Sequence, residues 1–350
     1  MGRITKLRDL MGVIKDKASQ SKAAILSKPN AHSLNLALLR ATTHDPLTPP
    51  NPKHLQTLLS FGHSSRATAS SAIEALMDRL HNTHDSSVAL KCLIAVHYII
   101  KRGSFILQDQ LSVYPSAGGR NYLKLSDFRD TSTPTTWELS SWIRWYAEYI
   151  ENLLCTSRVL GFFLGSFSST EDKDKEEERV SALMNSDLIK ETESLVSLLE
   201  QTCRQPESLH LSGNKLVGEI RGLVGEDHLS AMNELSIRVN EFGERQSCLS
   251  FGDSVELVCA LKRLEDCKER LLWSSPVKKD VAEGFWDSII EIKERVGKER
   301  ENKLVKKTER LSDSARFGER VLRSGDSVRF ASARLTVNYR FPLPVDSMES

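Results

Sequence analysis

His81 and His84 beside Asp85 have the HxxH spacing from which zinc sites are built. The group falls at a predicted helix boundary and no further ligand accompanies it, so metal binding is not expected. His97 lies in the nearly apolar run of Val88, Leu90, Leu93, Ile94, Val96, Ile99 and Ile100, the setting of a hydrogen-bonded core histidine rather than a general base. The chain holds no G-x-S-x-G elbow, no Walker loop and no G-x-G-x-x-G, and Gly118-Gly119 follows no predicted strand. Catalysis and a nucleotide cofactor therefore have no residues to carry them. What is left is basic: Lys53 and His54 follow a proline-rich turn.

The charge distribution fits an anionic surface as the target, and equally a basic face turned to solvent. Residues 1–60 carry nine basic and three acidic side chains, a local net of +6, while the whole 350-residue chain is +1, so the remainder sums to −5. Such a molecule is oriented by an anionic membrane within a Debye length of about 8–10 Å. A near-neutral total argues against a general nucleic-acid binder. No run reaches the roughly 18 apolar residues needed to cross a bilayer, and Met1 to Leu10 interleave charges where a signal peptide would be apolar. A cytoplasmic protein, peripheral on membranes, is the expectation. Cys92, Cys155, Cys203, Cys248, Cys259 and Cys267 form no CxxC pair and read as reduced core thiols.

The elements that must position the basic residues read as helices throughout, so the fold class is all-α. The first segment puts Ile4, Leu7, Leu10, Met11 and Ile14 on one stripe with Lys6, Arg8 and Lys15 elsewhere, which suits a helix in a membrane interface or one docked on the core. Lys6 occupies the position where N-myristoylation wants Ser or Thr. A helix over Leu34 to Thr43 must stop at the turn His44-Asp45-Pro46-Leu47-Thr48-Pro49-Pro50. Asn51 is then a good N-cap and Pro52 a good first residue, which places Lys53 and His54 in an opening turn whose N–H groups favour anions.

Further helices are predicted over Ala67–Leu80, Ser86–Lys101, Thr135–Phe163, Arg179–Thr202, Leu229–Gln246, Val255–Ser274 and Val281–Ser312. Trp142, Trp145, Tyr146 and Tyr149 share a helical stripe that reads as packing. Short connections suggest a stacked solenoid. The charged run Glu171 to Glu178 reads as an exposed linker, which divides the chain into a lobe over 1–165, a linker over 166–180, a second helical lobe over 181–312 and a largely unpacked tail over 313–350.

Arg40-Ala41-Thr42-Thr43-His44 followed by Lys53-His54-Leu55 resembles the signature of ANTH domains of clathrin-assembly proteins. Lys6 to Lys17, Ala89 to Ile100 and Trp142 to Ile150 are similar to the plant members, and the resemblance covers roughly residues 1–310. It implies an ANTH-type superhelical solenoid with a C-terminal helical extension. It implies no catalysis, and a site for phosphatidylinositol 4,5-bisphosphate at Arg40, Lys53 and His54, with Lys6, Arg8, Lys15 and Lys28 as auxiliary membrane contacts. Clathrin and SNARE cargo are the partners it implies, and clathrin-coated pits and vesicles at the plasma membrane and Golgi are the places. Pro50, Asn51 and Pro52 stand where the family has further lysines, in a turn about one residue longer. No clathrin box is found. Leu195 to Glu200 comes near one, but Leu199 takes the acidic position in a helix whose apolar face predicts core packing.

Overall fold

The computed structural model describes residues 3–26, 29–114, 123–165, 170–207, 211, 213–274, 283–299 and 301. The side chains of Lys6 and Arg8, all of Lys28, and the tail over 313–350 lie outside the described residues. Met1–Asn302 form one compact unit. Every regular element among the described residues is helical. In chain order they are α1 (Arg3–Leu26), α2 (Pro29–Ala41), α3 (Pro52–Ser60), α4 (Arg66–Asn82), α5 (Ser86–Arg102), α6 (Phe105–Ser112), α7 (Pro134–Leu160), α8 (Thr170–Ser181), α9 (Asn185–Cys203), α10 (Lys215–Glu244), α11 (Phe251–Asp266) and α12 (Lys268–Ser274). A further helix, α13, spans 283–299.

Polar caps start these helices where the sequence changes character. Asp85 accepts the Ser87 and Val88 N–H groups at 2.9 and 3.2 Å to open α5. Thr133 and Thr136 form a capping box ahead of Pro134, and α7 ends at Gly161, whose φ of 81° only glycine adopts without strain. Successive helices then stack, α2 on α3, α4 on α5, α5 on α7, α7 on α9, and α9 on both α10 and α11, in the manner of a solenoid.

The core runs through this stack along α5 and α7. Trp142, Tyr146 and Tyr149 are fully buried, so the aromatic stripe is packing, and the Trp145 indole N–H donates to the Gln201 carbonyl at 2.9 Å. His97 is buried as expected. Its Nδ1 lies 2.8 Å from the Tyr146 hydroxyl and its Nε2 2.7 Å from Asp227 Oδ2. Asp227, from α10, also accepts from Lys101 Nζ at 2.8 Å and the Tyr149 hydroxyl at 3.0 Å. Burial pushes the Asp227 carboxyl up, but His97 and Lys101 outweigh it and hold the group below its ordinary value. One carboxylate thus ties α5, α7 and α10 together.

Several sequence expectations need correction. The run Glu171 to Glu178 is not a loop: it lies in α8, with Glu176 and Val180 buried. Of its charges Glu176 is spent inward: Arg238 of α10, fully buried, donates to Glu176 at 3.1 Å and to Glu191 at 2.7 Å while Arg179 pairs with the same two carboxylates, and Asp174, Lys175, Glu177 and Glu178 stay exposed. The helix expected from Arg179 is broken at 182–184 and restarts as α9. α10 begins at Lys215 rather than Leu229; Asn214 caps it, and burial of Leu216, Val217, Ile220, Leu223 and Val224 overrides the roughly 1 kcal/mol that each of Gly218, Gly222 and Gly225 costs a helix. The cysteines are free, but only Cys92 is buried, and Cys155, Cys248 and Cys259 are exposed. Leu195, Val196, Leu198 and Leu199 are buried in α9, as core packing requires.

Asp227→Asn would take the carboxylate from His97 and leave Lys101 only Glu226, which is more than half exposed and lies 3.1 Å away. We expect the variant to fold with a loss of about 3–5 kcal/mol, read from the midpoint of denaturant unfolding. A loss below about 1 kcal/mol would show that the pairs contribute little.

Candidate anion-binding site

The last turn of α2 and the first turn of α3 form the site. Leu34, Leu38 and Ala41 face the core, and helical spacing then turns Arg40 to solvent. On α3, Leu55 and Leu58 are buried, which leaves Lys53 exposed and His54 half-buried. Although 13 positions separate Arg40 from Lys53 in the sequence (53 − 40), the two charges act on one imidazole. His54 is held below its ordinary value by partial burial, then by Arg40 and by Lys53. The three residues singled out in the sequence are therefore brought together. Among the described residues neither Arg40 nor Lys53 has an acidic partner within ion-pair distance.

The residues between them hold the two turns in place. Thr42 is buried; its hydroxyl donates to the Leu38 carbonyl at 2.7 Å, while Arg79 of α4 donates to the Thr42 hydroxyl and, at 2.7 Å, to its carbonyl. Lys91 of α5, only 1% exposed, donates to the Thr43 hydroxyl at 2.8 Å. His44 donates its backbone N–H to Asp16 of α1 at 2.9 Å, and its Nδ1 lies 2.6 Å from the same carboxylate. Asp45 accepts the Leu47 N–H at 2.9 Å and the Thr48 hydroxyl. In the Arg-Ala-Thr-Thr-His element, only the arginine is free to meet a ligand. Thr42, Thr43 and His44 are fasteners.

Lys91, Arg79 and Asp16 are the residues that sequence reasoning missed. A signal existed for Lys91, the single charge within the apolar run Val88 to Ile100. Burial pushes its ammonium down to about 8, and Asp45, Asp16 and Asp85 pull against that shift. Arg79 and Asp16 sit among ordinary surface charges in the sequence, and nothing marks them.

The helix N-terminus contributes less than its sequence suggests. Pro52 has no N–H, the Lys53 N–H donates to the Asn51 side chain at 2.9 Å, and the His54 N–H donates to the Asn51 carbonyl at 3.0 Å. The cap occupies the donors that an anion would use, so recognition falls to the side chains.

Lys15 is exposed on α1 and, with Lys22, borders a cleft of about 1190 Å³ reaching His44, Arg79, His84 and Asp85. Lys15, Lys22 and Arg79 there face Asp78, Asp85 and Asp130, so the charges nearly cancel and the cleft is a poor phosphate pocket. Asp85, beside His81 and His84, spends its carboxylate on the α5 cap.

The ANTH domain model matches residues 33–219, just over half of the chain, and the match contains Arg40, the turn, Lys53 and His54. The chain is 53% identical to the Arabidopsis thaliana protein named "Putative clathrin assembly protein At4g40080", across 99% of this chain and 98% of that one. It is 34% identical to that plant's similarly named At5g10410, over 85% of this chain and 88% of the relative, and 33% identical to At5g65370, over 83% and 99%. On the match of its first helical half and this near full-length likeness, the chain belongs to the ANTH domain family.

Proposed function

We propose that this protein is a membrane-docking adaptor of clathrin coats that grips phosphatidylinositol 4,5-bisphosphate with Arg40, Lys53 and His54 and works by assembly rather than catalysis. The observation that carries the reading is the pair of exposed cations, unpaired by acids among the described residues, whose fields meet on His54. Near an anionic membrane each such charge contributes about 1 kcal/mol. α1 adds a second contact: Leu10, Met11, Val13 and Ile14 are each about half exposed, next to the exposed Lys15 and Lys17. The clathrin role comes from the names of the relatives. Leu195 to Glu200 cannot serve as a clathrin box without opening the core, because Leu195, Val196, Leu198 and Leu199 are buried.

A second role, as a helical scaffold for SNARE cargo, draws on the other half of the molecule. Met184 is 68% exposed and Phe251 47%, at the starts of α9 and α11, whose connections meet where the Asn185 side chain donates to the Cys248 carbonyl at 3.3 Å. The two roles separate by mutation.

Arg40→Glu with Lys53→Glu changes the site by four charges, a swing of about 4 kcal/mol. The wild type should pellet with vesicles containing phosphatidylinositol 4,5-bisphosphate at physiological salt, and the double variant should remain in the supernatant while keeping its helical circular dichroism. Equal pelleting would move the lipid contact elsewhere, and a protein partner on α9 and α11 should be unaffected either way.

His54 supplies a pH signature. Partial burial, then Arg40 and Lys53, depress its proton affinity in the free protein, and a bound phosphate would raise it, so binding takes up a proton. Affinity should therefore rise as pH falls from 7.5 through the bound-state value of His54 and level off below the free-state value. His54→Gln should flatten that dependence in vesicle titrations. An unchanged slope would remove His54 from the site.

A further inference from the structure

The turn that joins the two halves of the site contains a residue which the headgroup reading leaves unused. Thr48 is exposed, stands outside regular secondary structure, and is followed by Pro49 and Pro50. A hydroxyl directly before proline in an accessible, non-helical turn is the substrate form of a proline-directed protein kinase. Two other pairs of Ser or Thr with a following proline occur, Thr133-Pro134 and Ser275-Pro276. Thr133 is half-buried and committed to the α7 capping box, and Ser275 lies outside the described residues.

We propose that Thr48 is a phosphorylation site for a proline-directed kinase, and that phosphate there releases the protein from phosphoinositide membranes. The proposal rests on the headgroup reading above. Thr48 Oγ1 attacks the γ-phosphorus of the kinase's nucleoside triphosphate, the bond from that phosphorus to the β-phosphate oxygen breaks, nucleoside diphosphate leaves, and the hydroxyl proton passes to the kinase's base. Two consequences then act in the same direction. The new group brings about −1.5 to −2 charges, which offsets the two permanent charges of Arg40 and Lys53. Thr48 stands five positions before Lys53 (53 − 48), so even an extended chain keeps the two Cα atoms at most about 18 Å apart, and a folded turn brings them closer.

The second consequence is local. The Thr48 hydroxyl now donates to Asp45, and that bond, the Leu47 N–H and Lys91 together outweigh burial to keep the Asp45 carboxyl below its ordinary value. Phosphorylation removes the donor and sets a dianion beside that carboxylate, so the turn that spaces Arg40 from Lys53 must rearrange.

The test uses the full chain, a purified proline-directed kinase with ATP, site mapping by mass spectrometry, and sedimentation with vesicles that contain or lack phosphatidylinositol 4,5-bisphosphate. We expect phosphate on Thr48 and at least tenfold weaker vesicle binding, with Thr48→Ala binding equally before and after kinase treatment. Absence of phosphate at Thr48, or a Thr48-phosphorylated protein that still binds as the untreated one does, would overturn the proposal. Failure of the untreated wild type to pellet would overturn the headgroup reading and this proposal with it, an outcome distinguished by the untreated arm alone.

Discussion

A single buried carboxylate sets the geometry on which the rest depends. Asp227 sits in the core of the stack with His97, Lys101 and the Tyr149 hydroxyl around it, and these partners come from two other helices. A charge in that position is tolerated only while every partner stays in place, since an unpaired carboxylate in the interior costs several kcal/mol. The group therefore acts as a register pin, because α5 cannot slide or rotate against α10 without separating charges that have no water to turn to. The Arg238 cluster does similar work for α8, α9 and α10.

That pin reaches the surface through α5. Ten residues before Lys101 on the same helix (101 − 91), Lys91 carries its ammonium through the core to the Thr43 hydroxyl. With Arg79 on Thr42 and Asp16 on His44, it fastens the end of α2 and the turn beyond it to three separate elements. Arg40 and Lys53 belong to no common helix and have no bond between them. Their convergence on His54 results from where the fasteners hold the chain. The exposed basic surface is set by buried residues, and its long side chains order at little cost because the backbone under them is already fixed.

The Arg-Ala-Thr-Thr-His element looks, in the sequence, like five residues of one site. In the structure it divides by direction: the arginine meets solvent, and the two threonines and the histidine turn inward. Proximity in sequence to a functional residue marks a part in holding it as often as a part in contact. The same division applies to the acidic run of α8, where a helix written almost wholly in charged residues is kept in place by burying Glu176 against two arginines.

Much was legible from the sequence alone. Helical periodicity, the proline-rich turn, the Asn51 cap and the aromatic stripe of α7 are local features, and local physics decides them: φ restrictions, capping and the 3.6-residue repeat. The basic excess of the first 60 residues was legible for the same reason, since it needs no partner to be counted, whereas Arg40, Lys53 and His54 were marked by resemblance to the ANTH signature. Long-range pairing was not legible. Nothing local shows that Asp227 meets His97, that Lys91 meets Thr43, or that the Glu171 to Glu178 run is helical, because each depends on a partner tens of residues away whose approach is set by packing. The sequence by itself determined which elements form and which charges are available; only the tertiary structure decided which of those charges are spent in the core and which are left for a ligand, because burial, not residue type, sets whether a charge must find its partner within the protein.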